Sequence, residues 1–414
     1  DSSYKINRRL YFSSHHLSHA ASAFYPSPFE EAVILVIDGV GEWSTATIAK
    51  GKGTNIHLLK EMNFPNSIGL LYSSFTYFLG FEVDRGEYKL MGLSPYGNED
   101  AQQTKDFIEI IKNNLIQIFD DGSIELNRAH FSFEYGLKMV DIAHWASLFG
   151  ISHRARETPF HQSHCNLALA VQRVVEEIII KMAQHAKQLT ECENICLAGG
   201  VVLNCVANGR LQDIGIFTNI WIQPAAGDAG CALGAALAFY HHQNVERLLS
   251  KRDKDGMNNA FLGPQVSKAA IKTFVESNAL HPQIFENYLD RNQFVIREVL
   301  KGKVVELIQD RMEYGPRALG ARSIIANPAN VGMQRHLNLA IKQREDFRPF
   351  APVMLRDEAV KYYDCHYDSN YMQYVKLLRP EYRYKRPDDY HKLTIKEKLD
   401  TPRSHLQAVT HVDY

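Results

Sequence analysis

An α/β protein of two domains is what this sequence predicts, and three observations carry that expectation. The first is a strand meander near the start, where Glu31 to Asp38 carries the run Ala-Val-Ile-Leu-Val-Ile and closes on Asp-Gly. The second is a long helix over Cys165 to Leu189, whose apolar positions Leu167, Val171, Val174, Val175, Ile178 and Met182 keep the 3.6-residue period. The third is the alternation that follows: strand, Gly turn, strand, Gly turn, helix. That order sets glycine-rich turns at strand ends, facing a cleft. The chain has 414 residues, 45% of them hydrophobic, enough for two cores at about 100–200 residues per domain.

The remaining elements fall in order between these. Ser44 to Lys50 alternates Thr with small apolar residues and reads as a second strand. The turn Gly51-Lys52-Gly53 leads into a third, Asn55 to Met62, completing the meander. Ser67 to Leu79 reads as an aromatic-rich helix. After the long helix, Asn194 to Leu203 reads as a strand interrupted by Gly199-Gly200, and Ile220 to Pro224 as another. The latter runs through Ala-Ala-Gly-Asp-Ala-Gly into a small-residue helix ending near Ala238. A polar segment from about His241 to Asn259, including Lys251-Arg252-Asp253-Lys254-Asp255-Gly256, marks the boundary. The domains are therefore expected over 1–260 and 261–414, the second opening near Phe261-Leu262-Gly263-Pro264.

Composition excludes several classes. Lys plus Arg number 46 and Asp plus Glu 47, a net charge of -1, so this is no basic protein built to coat nucleic acid. Six cysteines without a C-x-x-C pair read as buried small side chains in a reducing cytosol, with a structural zinc site as the other reading. No apolar stretch follows the opening Asp-Ser-Ser-Tyr-Lys, and no run of about 18 apolar residues occurs. A cytoplasmic protein with no membrane partner is expected. The absence of an initial Met leads us to expect that the natural N-terminus lies upstream.

Four constellations could carry chemistry. His15 and His19, at i and i+4 of a helix, lie about one turn apart on one face and can converge on one metal ion. No Glu follows His15, so the zinc-protease pattern is absent. Asp38 and Asp228, each at a strand end beside glycines, are carboxylates that either cap their turns or supply oxygen ligands. The glycine pairs Gly39/Gly41, Gly199/Gly200 and Gly227/Gly230 allow close backbone approach and suit phosphates, although none fits the Walker or G-x-G-x-x-G spacing. Gly86 to Gly97, carrying Glu87 and Lys89 and ending in Pro-Tyr-Gly, reads as an ordered loop. Last come Arg317 and Arg322, then Arg344 and Arg348, interleaved with Gly, Pro and aromatics. Such forks suit a small oligoanion better than a duplex.

Seven stretches carry a resemblance: HHLSHAASAFYPSPF (15–29), VIDGVGEW (36–43), GEYKLMGLSPYG (86–97), LAGGVVLNCVANGRL (197–211), PAAGDAGCALGAA (224–236), RMEYGPRALGARSI (311–324) and REDFRPFAPVML (344–355). In this order they resemble the nodulation-factor and antibiotic carbamoyltransferases. The resemblance implies an actin-like ATPase (ribonuclease H-like) domain, similar to the tRNA threonylcarbamoyl-transferase, followed by an α/β YrdC-like domain. It implies two steps: carbamoyl phosphate and ATP give carbamoyl-adenylate and pyrophosphate, then a hydroxyl of a small-molecule or sugar acceptor takes the carbamoyl group and AMP leaves. His15, His19, Asp38 and Asp228 match metal ligands, the metal being a divalent ion, Fe2+ by analogy with relatives. Gly39, Gly41, Glu87, Lys89, Gly199, Gly200, Asn204 and Gly227 match nucleotide positions. Arg317, Arg322, Arg344 and Arg348 would hold the phosphates of ATP and carbamoyl phosphate.

The resemblance also implies that both domains are incomplete at the chain ends: an N-terminal strand carrying a His base, and residues beyond Tyr414, belong to the family pattern. A homodimer is compatible with the sequence. A tRNA- or protein-modifying enzyme using the same adenylate, or a catalytically silent nucleotide-binding module, are the other readings. The first is disfavoured by the lack of C-x-x-C pairs and of an acylphosphatase-like segment.

Overall fold

A computed structural model describes residues 10–243, 245–247, 249, 255–365 and 368–413. Much of the expected boundary segment, Lys251 to Lys254 included, lies outside the described residues. The chain order opens with α1 (His15–Phe24), β1 (Glu31–Gly41), β2 (Ser44–Lys52), β3 (Asn55–Asn63), α2 (Ile68–Phe78) and α3 (Glu87–Leu93). An excursion follows: α4 (Gln102–Ile110), the small hairpin β4 (Ile116–Ile118) and β5 (Ile124–Leu126), and α5 (Ile142–Phe149). The chain returns through α6 (Gln162–Thr190), β6 (Asn194–Ala198), α7 (Cys205–Ile214), β7 (Asn219–Ile222) and α8 (Asp228–His242).

Five strands form one mixed sheet in the order β3-β2-β1-β6-β7, so the protein is α/β as expected. The meander pairs antiparallel, whereas β6 adds parallel to β1 and β7 parallel to β6. Parallel neighbours need a crossover, and the excursion with α6 supplies it. The central strand β1 is buried on both faces, which is why it reads as an unbroken apolar run. Period-2 alternation sends Val33, Leu35 and Ile37 to a core built with α2 and α6, and Ala32, Ile34 and Val36 to a second one under α1. Each such side chain contributes about 1.5–3 kcal/mol when fully buried.

Two boundaries differ from the sequence reading. The strand expected over Asn194 to Leu203 stops at Ala198, because Gly199 turns to φ +96° and Gly200–Leu203 winds into a 3-10 turn. A Cβ at Gly199 would lie 2.1 Å from the Ile37 carbonyl oxygen, so only glycine lets the chain leave β6 this close to β1. The strand expected over Glu31 to Asp38 runs on to Gly41 at the hairpin into β2, so Gly39 and Gly41 lie inside β1, beyond a register irregularity after Ile37.

The later residues hold less regular structure. They include α9 (Lys268–Ser277), α10 (Tyr288–Leu300) and an antiparallel pair, β8 (Val305–Ile308) with β9 (Arg322–Ile325). Among the described residues no helix is long and apolar enough to cross a membrane.

Candidate metal centre

Helix α1 begins immediately after Ser14 and presents His15 and His19 one turn apart. His19 is fully buried; His15 is partly open. Two glycines make this placement fit. A Cβ on Gly41 would fall 2.1 Å from the His15 ring, so the bare backbone of β1 leaves room for the imidazole. A Cβ on Gly234 would fall 1.7 Å from the Ser18 carbonyl oxygen, so α8 lies almost backbone to backbone on α1. That contact brings the first turn of α8, with Asp228, up to the histidines. The far end of α1 is clamped by Arg247, whose guanidinium donates to the carbonyls of Phe24, Tyr25, Ser27 and Phe29.

All four residues expected as ligands converge. Asp38 Oδ2 lies 3.0 Å from His15 Nε2 and 3.3 Å from His19 Nε2. Asp228 Oδ1 lies 3.5 and 3.6 Å from the same two nitrogens, which are 3.1 Å apart. The other Asp38 oxygen accepts the Gly200 N–H at 2.9 Å, so the carboxylate is fixed in orientation. Burial would raise the Asp38 pKa, but hydrogen bonds from both histidines outweigh it and hold the group well below its ordinary value. The hydrogen bond to Asp38 likewise raises His15 above its ordinary value, against the pull of burial.

Two facing imidazole nitrogens carry at most one proton each when neutral, and cannot satisfy each other and two carboxylates together. A cation at their centre satisfies every donor. Two imidazoles with two carboxylates suit Fe, Zn or Co, so the residues present fit a divalent transition metal. The Asp228 side chain is 78% exposed, which makes it the solvent-facing wall of the site.

The nucleotide candidates fall into distinct settings. Gly199 and Gly200 form the turn touching Asp38, and Gly227 caps α8 beside the candidate ligand Asp228. Asn204 caps α7 through its side chain, which accepts the Ala207 N–H, and its amide donates to Gln172 in a buried network with Tyr72 and Glu176. Glu87 accepts from the Ser73 hydroxyl and from the amides of Asp84 and Gly86, closing its own loop. Lys89 is ion-paired to Glu345 at 2.7 Å.

The four arginines also separate. Arg317 donates to the Leu203 carbonyl, at the end of the turn that begins with Gly200. Its neighbour Tyr314 donates to the Ala229 carbonyl, and Gly315 packs over Pro224, so this loop sits against the start of α8. Arg322 spends its donors on the carbonyls of Gln309 and Ala321. Arg344 donates to Asn338 and lies over Phe350, while Arg348 lies over Tyr88 with its guanidinium 4.4 Å from the ring. Burial and the nearby Arg348 lower the Arg344 pKa. One donor at the centre escaped the sequence reading. Cys231 stands three residues after Asp228, and its Sγ joins His15, His19 and Asp228 in a group whose donor atoms all lie within 4.8 Å.

Fold and site define an α/β protein with a histidine–carboxylate cluster set against a glycine turn. The chain belongs to the carbamoyltransferase family: residues 2–237 match the carbamoyltransferase N-terminus and residues 296–414 the carbamoyltransferase C-terminus. It is 46% identical over 406 residues to protein sll1178 of Synechocystis sp., covering 98% of this chain and 65% of that one. Against nodulation protein NolNO of Sinorhizobium fredii the identity is 34%, covering 98% and 54%. Nodulation protein NolO of Bradyrhizobium diazoefficiens shares 34%, covering 85% and 60%. The chain thus spans a little over half to about two thirds of the length of these relatives.

Proposed function

We propose that the protein works in ATP-dependent O-carbamoylation of a small-molecule or sugar hydroxyl, with carbamoyl phosphate as donor and carbamoyl-adenylate as intermediate. The observation that carries this reading is the convergence of His15, His19, Asp38 and Asp228 beside the Gly199–Gly200 turn, in a chain of the carbamoyltransferase family. In this reading residues 1–260 are an actin-like, ribonuclease H-like transfer domain. The sheet order, an antiparallel meander extended by two parallel strands, supports it. Residues 261–414 belong to a YrdC-like adenylate-forming domain.

Activation would consume one water and release phosphate and pyrophosphate; transfer would release AMP. A divalent cation, Fe2+ in this reading, would supply Lewis-acid polarisation of a phosphate or carbamoyl oxygen when bound. Asp38 and the buried His19 set a fixed wall, while exposed Asp228 stands where an acceptor enters. Arg317, held at the Leu203 carbonyl, neutralises phosphate charge beside the Gly200 turn. Arg344 and Arg348, crowded and partly buried, offer a second cationic pair for the same anions.

The full-length protein, given carbamoyl phosphate, ATP and Fe2+, should exchange labelled pyrophosphate into ATP without any acceptor. No exchange and no pyrophosphate release would refute the reading. Label passing from carbamoyl phosphate to tRNA or to a protein cysteine would favour the modifying-enzyme alternative. ATP binding without turnover, insensitive to His15→Ala, would favour a silent module.

A further inference from the structure

We propose that Cys231 is a thiolate ligand of the cation held by His15 and His19, an inference that rests on the metal reading above and extends it. Among the described residues, the donor atoms of His15, His19, Asp228 and Cys231 all lie within 4.8 Å of one another. Asp228 and Cys231 stand three apart on the first turn of α8 and so project from one face, toward α1. The Gly234 contact with Ser18 fixes that helix pair at a separation no larger residue permits. The thiol is partly buried, and the hydrogen bond it makes is a long one, 3.9 Å to the His15 carbonyl.

The site is asymmetric in a way that leaves a place for sulfur. Asp38 closes the inner side, its second oxygen committed to the Gly200 N–H. The outer side is built from α8 alone, by Asp228 and Cys231. With metal–nitrogen bonds near 2.1 Å and metal–sulfur near 2.3 Å, neighbouring donors on one metal ion sit roughly 3–4 Å apart. The group as it stands, within 4.8 Å, is looser than that spacing, and a change of side-chain rotamer is the movement the proposal requires. On coordination the metal–sulfur bond forms and the thiol proton leaves to solvent. Sulfur beside two imidazoles biases the site toward Fe2+, Zn2+ or Co2+ and away from Mg2+ or Ca2+.

Co2+ titration of the whole chain under anaerobic conditions tests this by spectrum, independently of activity. The wild type should develop a near-ultraviolet sulfur-to-cobalt charge-transfer band. Cys231→Ser and Cys231→Ala should lose that band, keep the visible cobalt bands, and bind about tenfold more weakly. Circular dichroism confirms that both variants are folded. A wild type that binds Co2+ through His15 with no sulfur band overturns the proposal, as does a band surviving in both variants. If the wild type binds no Co2+, or binds it no better than His15→Ala, the metal reading itself fails and takes this one with it.

Discussion

At the residue scale the decisive group is Asp38, which touches both histidines and the Gly200 amide at once. Asp38→Asn keeps an oxygen for Gly200 but removes the charge. The chain should fold, and titration calorimetry with Zn2+ or Co2+ should find affinity lowered by about a hundredfold or more. A second residue-scale expectation concerns acid stability. Burial lowers the His164 pKa, and its ring is committed as a neutral tautomer: Nδ1 accepts the His161 N–H and Nε2–H donates to the Ser152 carbonyl, both at 3.1 Å. The folded state resists a proton that the unfolded chain takes up near pH 6.5. Stability from this residue is therefore complete above about 6.5 and falls as pH drops below it. Melting temperature should decline from about pH 6.5 to 5, and His164→Gln should flatten the decline. The candidates His15, His19, Asp38 and Asp228 could be picked out because helical spacing and strand-end carboxylates leave a local pattern, and the family resemblance groups them. Cys231 was not, since its i+3 relation to Asp228 has meaning only once α8 is known to start at Asp228 itself. Arg317 and Arg322 look alike in sequence. Only the fold shows one reaching the Leu203 carbonyl and the other spent on its own strand.

At the scale of elements the centre depends on how closely α1, β1, α2 and α8 approach. Gly234→Ala sets a methyl against the Ser18 backbone and should destabilise by about 1–3 kcal/mol in a urea melt. It should also weaken metal binding, although residue 234 is no ligand, because it moves Asp228 away from His15. Ser67 ties α2 to the end of β1: its hydroxyl accepts the Leu70 N–H and donates to the Gly39 carbonyl at 2.6 Å. Ser67→Ala should cost about 1 kcal/mol from the lost cap, read as a lower unfolding midpoint. The doubly buried β1 was legible as an unbroken apolar run, the meander from its tight turns, and α6 from its 3.6-residue stripe. The stop of β6 at Ala198 was not. Val201-Val202-Leu203 has strand propensity, and the Gly199 conformation overrides it.

At the scale of the whole molecule, segments far apart in sequence meet. Lys89 pairs with Glu345, Tyr88 lies under Arg348, and the Tyr96 hydroxyl donates to the Phe347 carbonyl, so α3 and the 3-10 turn after it, read in the sequence as a loop, dock on the segment over 344–350. A double-mutant cycle with Lys89→Met and Glu345→Gln should give a coupling of about 1 kcal/mol that shrinks with added salt. This docking was not legible, because the stretch over 86–97 reads as an ordered loop and Arg344 with Arg348 as forks for a small oligoanion, neither naming the other as a partner. The clamp of Arg247 on the end of α1, with the α1–α8 contact, has a bearing on biosynthesis. The histidines are made early, but Asp228 follows about 200 residues later and the clamp later still. At about 5–20 residues per second, a nascent chain carries its histidine pair without Asp228 for roughly 10–40 seconds. A metal ion at this centre would be held fully only late, and chains stalled on the ribosome before residue 228 should bind Co2+ more weakly than the whole chain.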